Sequence, residues 1–330
     1  MSDEPDLEVR VAAAVAARDD DDAFEEALAL LPLRGDAGFA LGRSLIARDD
    51  PIERAIGARI LGAVVNPDRE HVRGVVDALV PLIGAELDPS VLDEAIHALG
   101  HVNGEAAVVA IAPFARHADV DVRLAVAQAI PPISEEDVEP ATYLPALLAL
   151  SGDEDDDVRD WACFGLGRMV DADTPELRSA LAARLDDPHE DTRCEAIVGL
   201  ASRHDPRALP ALLRALDEGG AADLLVEAAA WIGDASLVPH LLDFTSDDEV
   251  EAALDRCDPK RRARRAARNS ALVAALATHG IEAELTLSAF EDEVSWERAD
   301  GRRSADVERV LARPDVKGDI EAAAAYLAAP

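Results

Sequence analysis

One pattern recurs along the middle of the chain and leaves few folds open. Its clearest copy is residues 153–170, DEDDDVRDWACFGLGRMV. Val158, Ala162 and Leu166 stand at i, i+4 and i+8, a single apolar stripe on a helix. Ala162 and Gly165 are small enough to admit a second helix, and Gly167 stands where the helix must end or bend. The unit aligns without gaps at Val122-Arg123…Ala129-Ile130-Pro131 and at Thr192-Arg193…Gly199-Leu200-Ala201. Arg54…Ile60-Leu61-Gly62 keeps the arginine, whereas the copies beginning at Val91 and Leu224 carry Leu92 and Leu225 in its place. The closing positions 62, 100, 131, 167, 201 and 233 are spaced by 38, 31, 36, 34 and 32 residues.

Between copies lies a second apolar helix, clearest at Leu144-Pro145-Ala146-Leu147-Leu148 and Leu209-Pro210-Ala211-Leu212-Leu213, with others at 71–83, 106–116, 176–185 and 236–244. A helix pair every 31–38 residues is the signature of an α-solenoid. One pair cannot cover its own apolar face; a stack of pairs forms a continuous core.

These units resemble the HEAT repeat, in the short variant named after phycobilisome lyases. The resemblance covers roughly 50–245 and implies an all-α solenoid of about six repeats. It also implies an Asp six residues before the Arg, the two forming a ladder between neighbouring repeats. Asp153/Arg159 and Asp187/Arg193 have that spacing. His117 holds the Asp position before Arg123, and Leu92 and Leu225 replace arginines, so the ladder is expected to be incomplete. Solenoids host unrelated activities, so the resemblance speaks to fold rather than task.

Three regions follow. Residues 1–49 read as capping helices near 5–18, 21–32 and 36–47, with an acidic turn at Asp19 to Asp22. Residues 50–245 are the repeats. Their loops are marked by Asn66-Pro67-Asp68, Asp88-Pro89, Asp186-Asp187-Pro188 and Gly219-Gly220, and by a longer connection at Pro131-Pro132-Ile133-Ser134-Glu135-Glu136. Residues 246–330 form a smaller, mainly helical region. Ser246-Asp247-Asp248-Glu249 is a capping box for a helix to about Cys257, and Asp258-Pro259 starts another that runs to His279-Gly280. Residues 281–298 alternate weakly, which allows a short β-hairpin, with a turn at Asp300-Gly301 and helices at 304–313 and 318–328.

The net charge is −35, from 67 acidic and 32 basic residues, of which only Lys260 and Lys317 are lysines. An acidic, lysine-poor, aromatic-poor chain looks like a cytoplasmic protein from a salt-loving microbe, where molar salt shrinks the Debye length to roughly 3 Å. Most acidic runs therefore read as solvated surface. The N-terminus carries no signal peptide, and no apolar run approaches the roughly 18 residues of a membrane span. Cys163, Cys194 and Cys257 lack ligand spacing and read as reduced thiols. The charge is uneven: residues 255–330 sum to −1 and residues 1–254 to −34. The strongest basic cluster is Lys260, Arg261, Arg262, Arg264, Arg265 and Arg268. An anion or nucleic-acid site is one reading of it. The favoured one is docking onto the chain's own carboxylates, such as Asp247, Asp248, Glu249 and Glu251, ahead of an acidic protein partner.

The resemblance places the Val-Arg helices on the concave side of the stack. Their outward positions include Arg59, Asp93, Glu94, His97, Gln128, Asp160, Trp161, Phe164, Glu195 and Glu227. Trp161 and Phe164 stand i, i+3 apart and off the apolar stripe; they suit a binding hot spot or, alternatively, a cover over a gap between repeats. His97 and His101 are i, i+4, but Glu94 is the one carboxylate near them, so no metal is expected. HEAT-like di-iron hydroxylases carry repeated His-Glu pairs, and this chain has only His189-Glu190. No Gly-rich phosphate loop, Ser-His-Asp pattern or catalytic cysteine context occurs. The expectation is a monomeric, non-enzymatic scaffold or signalling adaptor that needs no cofactor and binds another protein through its concave face. The alternative is an enzyme like the bilin lyases or DNA-base glycosylases of HEAT-like families; the latter would need a basic groove, and this one reads as mixed to acidic.

Overall fold

The computed structural model describes residues 7–329 except 18–20, 32–33, 66–70, 103, 134–137, 220–221, 246, 288–291 and 299–300. The turns expected around Asp19 and at 66–68, and parts of those at Ser134-Glu136, Gly220, Ser246 and Asp300, lie outside the described residues. The chain divides into two compact units, Met1–Arg184 and Leu185–Pro330. That division falls inside the stretch of repeats rather than at either of its ends.

The first unit contains α1 (Leu7–Ala17), α2 (Asp21–Leu28), α3 (Gly35–Leu45), α4 (Pro51–Val65), α5 (Val72–Ala85), α6 (Pro89–Gly100), α7 (Glu105–Ile111), α8 (Val120–Ile133), α9 (Pro140–Leu150), α10 (Asp156–Phe164) and α11 (Pro175–Ala183). Helix starts follow from their capping side chains. Asp88 accepts from the Ser90 amide, Asp155 from Val158 and Thr174 from Leu177, and proline fills the first turn of α6, α9 and α11. Two layers form. In one, α4 packs on α6, α6 on α8 and α8 on α10; in the other, α5 meets α7, α7 meets α9 and α9 meets α11. Ile56, Ile60, Leu61, Leu92, Ile96, Leu99 and Ile130 are buried between them.

The small residues that close each unit set the distance between helices. A Cβ on Gly62 would stand 3.0 Å from Cα of Ala98, and one on Gly100 would stand 3.0 Å from Cβ of Ala129. Gly62 does not end its helix, since α4 continues to Val65. Its role is close approach to the next repeat. Pro131 and Pro132, expected in a connection, lie inside α8. A Cβ on Gly165 would stand 2.6 Å from Cγ of Pro131, so the ring fills the space that glycine vacates on the neighbouring helix.

The second unit contains α12 (Glu190–Ser202), α13 (Ala208–Glu218), α14 (Ala222–Ile232), α15 (Val238–Leu241), α16 (Asp248–Cys257), α17 (Pro259–Thr278), β1 (Ala283–Leu287), β2 (Asp292–Arg298), β3 (Gly301–Asp306), α18 (Val307–Leu311) and α19 (Ile320–Ala328). The layer pattern continues, with α12 on α14 and α14 on α16. Asp247 caps α16, and Asp258 caps α17 by accepting from the amides of Lys260 and Arg261. The strands form an antiparallel sheet in the order β1-β2-β3, with Trp296 opposite Ala283 and Arg303. A third strand thus extends the hairpin, and the helix expected at 304 begins only at Val307, because Ser304 to Asp306 pair with β2. Val294 and Trp296 face a core shared with Leu272 and Leu276 of α17 and with Ala323, Ala324 and Leu327 of α19.

Candidate binding face of the repeats

The Val-Arg helices are α4, α6, α8 and α10 in the first unit and α12 and α14 in the second. Arg59 lies 3.4 Å from Glu94 and over the Phe24 ring. His97 contacts the Asp93 carbonyl through Nδ1 at 3.0 Å and Gln128 Oε1 through Nε2 at 2.8 Å. The Asp93 carboxylate, 3.4 Å from Nδ1, is the main reason that His97 is pushed up to about 9, so its ring is cationic at neutral pH. Burial raises the Glu94 carboxyl, against the pull of Arg59. Arg59 of α4, Glu94 and His97 of α6 and Gln128 of α8 thus form a polar track across the repeats.

The track ends on α10. Trp161 is 41% exposed, and its ring meets Phe164 edge to face at 5.7 Å. Arg168, one turn on, lies over the other side of the system at 5.6 Å from the Phe164 centroid. Asp160 is half-buried beside Trp161. On α12 the expectation fails: Glu195 is buried at 8% exposure, because Cys194 to Ala201 are all enclosed and that helix has no open face at this point.

The ladder is built, but its charged rungs join different residues from those that share a unit. Each arginine first turns back on its own loop. Arg54 Nη1 donates to the carbonyls of Arg48 and Asp49, Arg123 to His117 and Ala118, Arg159 to Asp153 and Glu154, and Arg193 to Asp187 and Pro188. In Arg54 and Arg123 the remaining donors reach forward by one repeat. Arg54 holds Glu86 at 2.6 and 3.1 Å, and Arg123 holds Asp153 at 2.7 and 2.8 Å. Burial opposes ionisation of Asp153, yet Arg123 and the amide of Asp155 hold its carboxyl below the usual range; Glu86 is held down in the same way by Arg54. The junction between the second and third units lacks both halves, with Leu92 for the arginine and His117 for the acid. Glu86 and the pairing of Arg123 escaped the unit-by-unit reading. Separations of 32 and 30 residues, one repeat length, were the signal for them.

The basic helix α17 is largely satisfied from within its unit. Arg261 reaches Glu251 at 2.7 Å and Asp255 at 3.4 Å, and Arg262 donates to the Gly233 carbonyl at 2.5 Å. Arg265 and Arg268 turn to Asp292 at 2.6 and 3.9 Å, and Arg268 also pairs with Glu308. Asp247 is occupied as the cap of α16. Lys260 and Arg264 are exposed, with no ion pair among the described residues.

Residues 144–231 match the family of HEAT repeats. HEAT repeats are present over that span. The chain is 34% identical over 140 residues to protein YibA of Escherichia coli K12, a match that covers 41% of this chain, and equally to YibA of strain O157:H7. The chain spans about half the length of these curated relatives, 48%. The X-ray structure of YibA superposes with a TM-score of 0.62 at 24% identity, over 78% of this chain and 93% of that one. The likeness is one of fold. No helix among the described residues is long and apolar enough to cross a membrane.

Proposed function

We propose that these HEAT repeats form a non-enzymatic scaffold or adaptor, working in a salt-rich cytoplasm, that binds another protein through the outward row of the Val-Arg helices, centred on α10. The observation that carries this reading is Trp161. A residue type that folding normally covers stands 41% exposed, braced by Phe164 and flanked by Arg168. Large aromatics and arginine together are the composition of binding hot spots. The polar track of Arg59, Glu94, His97 and Gln128 supplies a hydrogen-bonding rim beside it.

Trp161→Ala and Phe164→Ala should each weaken partner binding by about 2 kcal/mol or more. They should leave the melting temperature nearly unchanged, whereas Leu166→Ala, fully buried, should lower it clearly. Affinity capture from the native host in high salt, followed by mass spectrometry, supplies the partner. One stoichiometric protein, lost in the Trp161 and Phe164 variants, is the expected result. Loss of stability in Trp161→Ala with capture intact overturns the reading, as does recovery of DNA or pigment. For the salt-rich setting, the melting temperature should rise between dilute and multi-molar KCl as self-repulsion is screened; a flat response argues against it.

A further inference from the structure

We propose that the free edge of β3 takes up an extended acidic segment of another protein as a fourth strand, with carboxylates of that segment at the arginines of the adjoining cleft. The site is separate from the face on α10, and neither inference needs the other.

β3 ends the sheet order β1-β2-β3, so one of its edges pairs with β2 and the other has no strand beside it. No backbone hydrogen bond joins Gly301–Ala305 to a described segment other than β2. Gly301, Arg302, Arg303 and Ser304 are exposed. Such an edge presents a row of N–H and C=O groups to any extended chain laid against it. A second copy of this chain is a poor occupant, because β3 beside β3 gathers Arg302 and Arg303 of both copies.

The charge of the neighbouring cleft indicates what kind of strand fits. Arg303 and Ala305 stand opposite Trp296 and Val294, so they share the face of the sheet that looks toward α19. On that face a cleft of about 730 Å³ lies between β3, α18 and α19. Trp296, Val310, Tyr326 and Leu327 give it apolar walls. Its charged groups are Arg303, Arg309 and Arg313 against Glu293 and Asp306, so cations outnumber carboxylates in a chain whose net charge is −35. Asp306 is occupied as the cap of α18. Arg313 lies 3.9 Å from the Tyr326 centroid and pairs with Asp315 at 3.0 Å. Arg309 is exposed, and its side chain makes no ion pair among the described residues. Alternate side chains of an added strand enter the cleft, where arginines select carboxylates and the apolar walls cover their stems. The other set lies beside Arg302 and Ser304, in solvent.

The probe is the peptide Glu-Val-Glu-Val-Glu-Val, acetylated and amidated at its ends. It is titrated calorimetrically into the full chain, in the salt that keeps the protein folded, beside a counterpart with lysine for glutamate. General attraction to so acidic a chain favours the lysine peptide. The proposal requires the reverse: saturable binding of the glutamate peptide, and at least tenfold weaker binding of the lysine one. Strand addition is tested by N-methylation, at the glutamates in one peptide and at the valines in another. Only alternate N–H groups of an edge strand face its neighbour, so one of the two should lose at least tenfold and the other far less. Arg309→Glu should weaken the glutamate peptide tenfold with no change in melting temperature. No saturable binding, a lysine peptide that binds as tightly, an equal effect of the two methylations, or an Arg309→Glu chain that binds as before overturns the proposal. Trp161→Ala should leave these titrations unchanged, which keeps them separate from the test of the α10 face.

Discussion

In the first unit, Arg54 and Arg123 each hold one acidic residue of the following repeat, 32 and 30 residues away. In the second unit, Arg256, Arg265 and Arg268 crowd onto the one carboxylate of Asp292, which comes from a strand. The rungs are periodic, paired one to one and largely buried; the hub is singular and enclosed. The first arrangement holds copies of one module in register. The second pins α16 and α17 to an unrelated sheet through a single side chain. Repetition therefore spreads electrostatic risk thinly, whereas a junction between unlike elements concentrates it.

The sharpest way to break this comparison is at the hub. Asp292→Ala leaves three guanidinium groups without their shared counter-charge and should cost about 3–5 kcal/mol in denaturant unfolding. A cost below about 1 kcal/mol would mean that water already dissipates the charge.

A rung should cost less. Arg123→Ala strands Asp153 and uncaps two carbonyls, for about 1–3 kcal/mol. Arg159→Ala removes the same kind of loop cap. Arg193→Ala should fall below Arg123→Ala, because the acid position after it is Gly219. A double-mutant cycle between Arg123 and Asp153 should return a coupling, and a value near zero would dissolve the rung.

His97 gives a smaller, pH-dependent effect on the track. Its folded value near 9 lies above the ordinary 6.5. The stabilisation is complete below 6.5 and drains away as the pH rises toward 9. His97→Gln should flatten the stability profile over that window, with its full loss of stability below 6.5 and little loss above 9. Last comes Arg302→Ala, whose pair with Glu284 is exposed at both ends; it should stay within about 0.5 kcal/mol.

The helices and their pairing were legible because apolar spacing and capping residues are local signals. Asp258 announced its helix from the residue before it, and Asp88-Pro89 marked the loop that ends where α6 begins. Trp161 and Phe164 were legible as off-stripe aromatics, and α10 presents them as an edge-to-face pair. Pairings of longer range were harder. The Asp153–Arg159 spacing suggested that acid and base within a unit belong together, but a rung bridges two units, so Asp153 takes the arginine before it. Glu195 follows the outward numbering of its repeat and is nonetheless buried, since enclosure of a helix depends on neighbours that periodicity does not encode. For β3, Ser304 and Ala305 carry no helix-start signal that could have opposed strand pairing. Asp292 sat in a run of acids, Glu291-Asp292-Glu293, and nothing in that run marks the middle residue as the one that points inward.

The forward reach of Arg54 and Arg123 also bears on how such a chain can lengthen or shorten. A module such as the one at 153–186 brings an acid, Asp153, at its leading edge and a base, Arg159, behind it, like a coupling with a hook and an eye. Excising 153–186 would set Asp187 thirty residues after Arg123, where Asp153 stands now. The cut ends would offer the same two chemical groups that were separated. Duplication of a module in tandem would likewise create a new joint complete at birth. The Leu92–His117 junction lacks both parts, so a module gained or lost there would find nothing to engage, and turnover of repeats should favour the joints that carry Arg54 and Arg123.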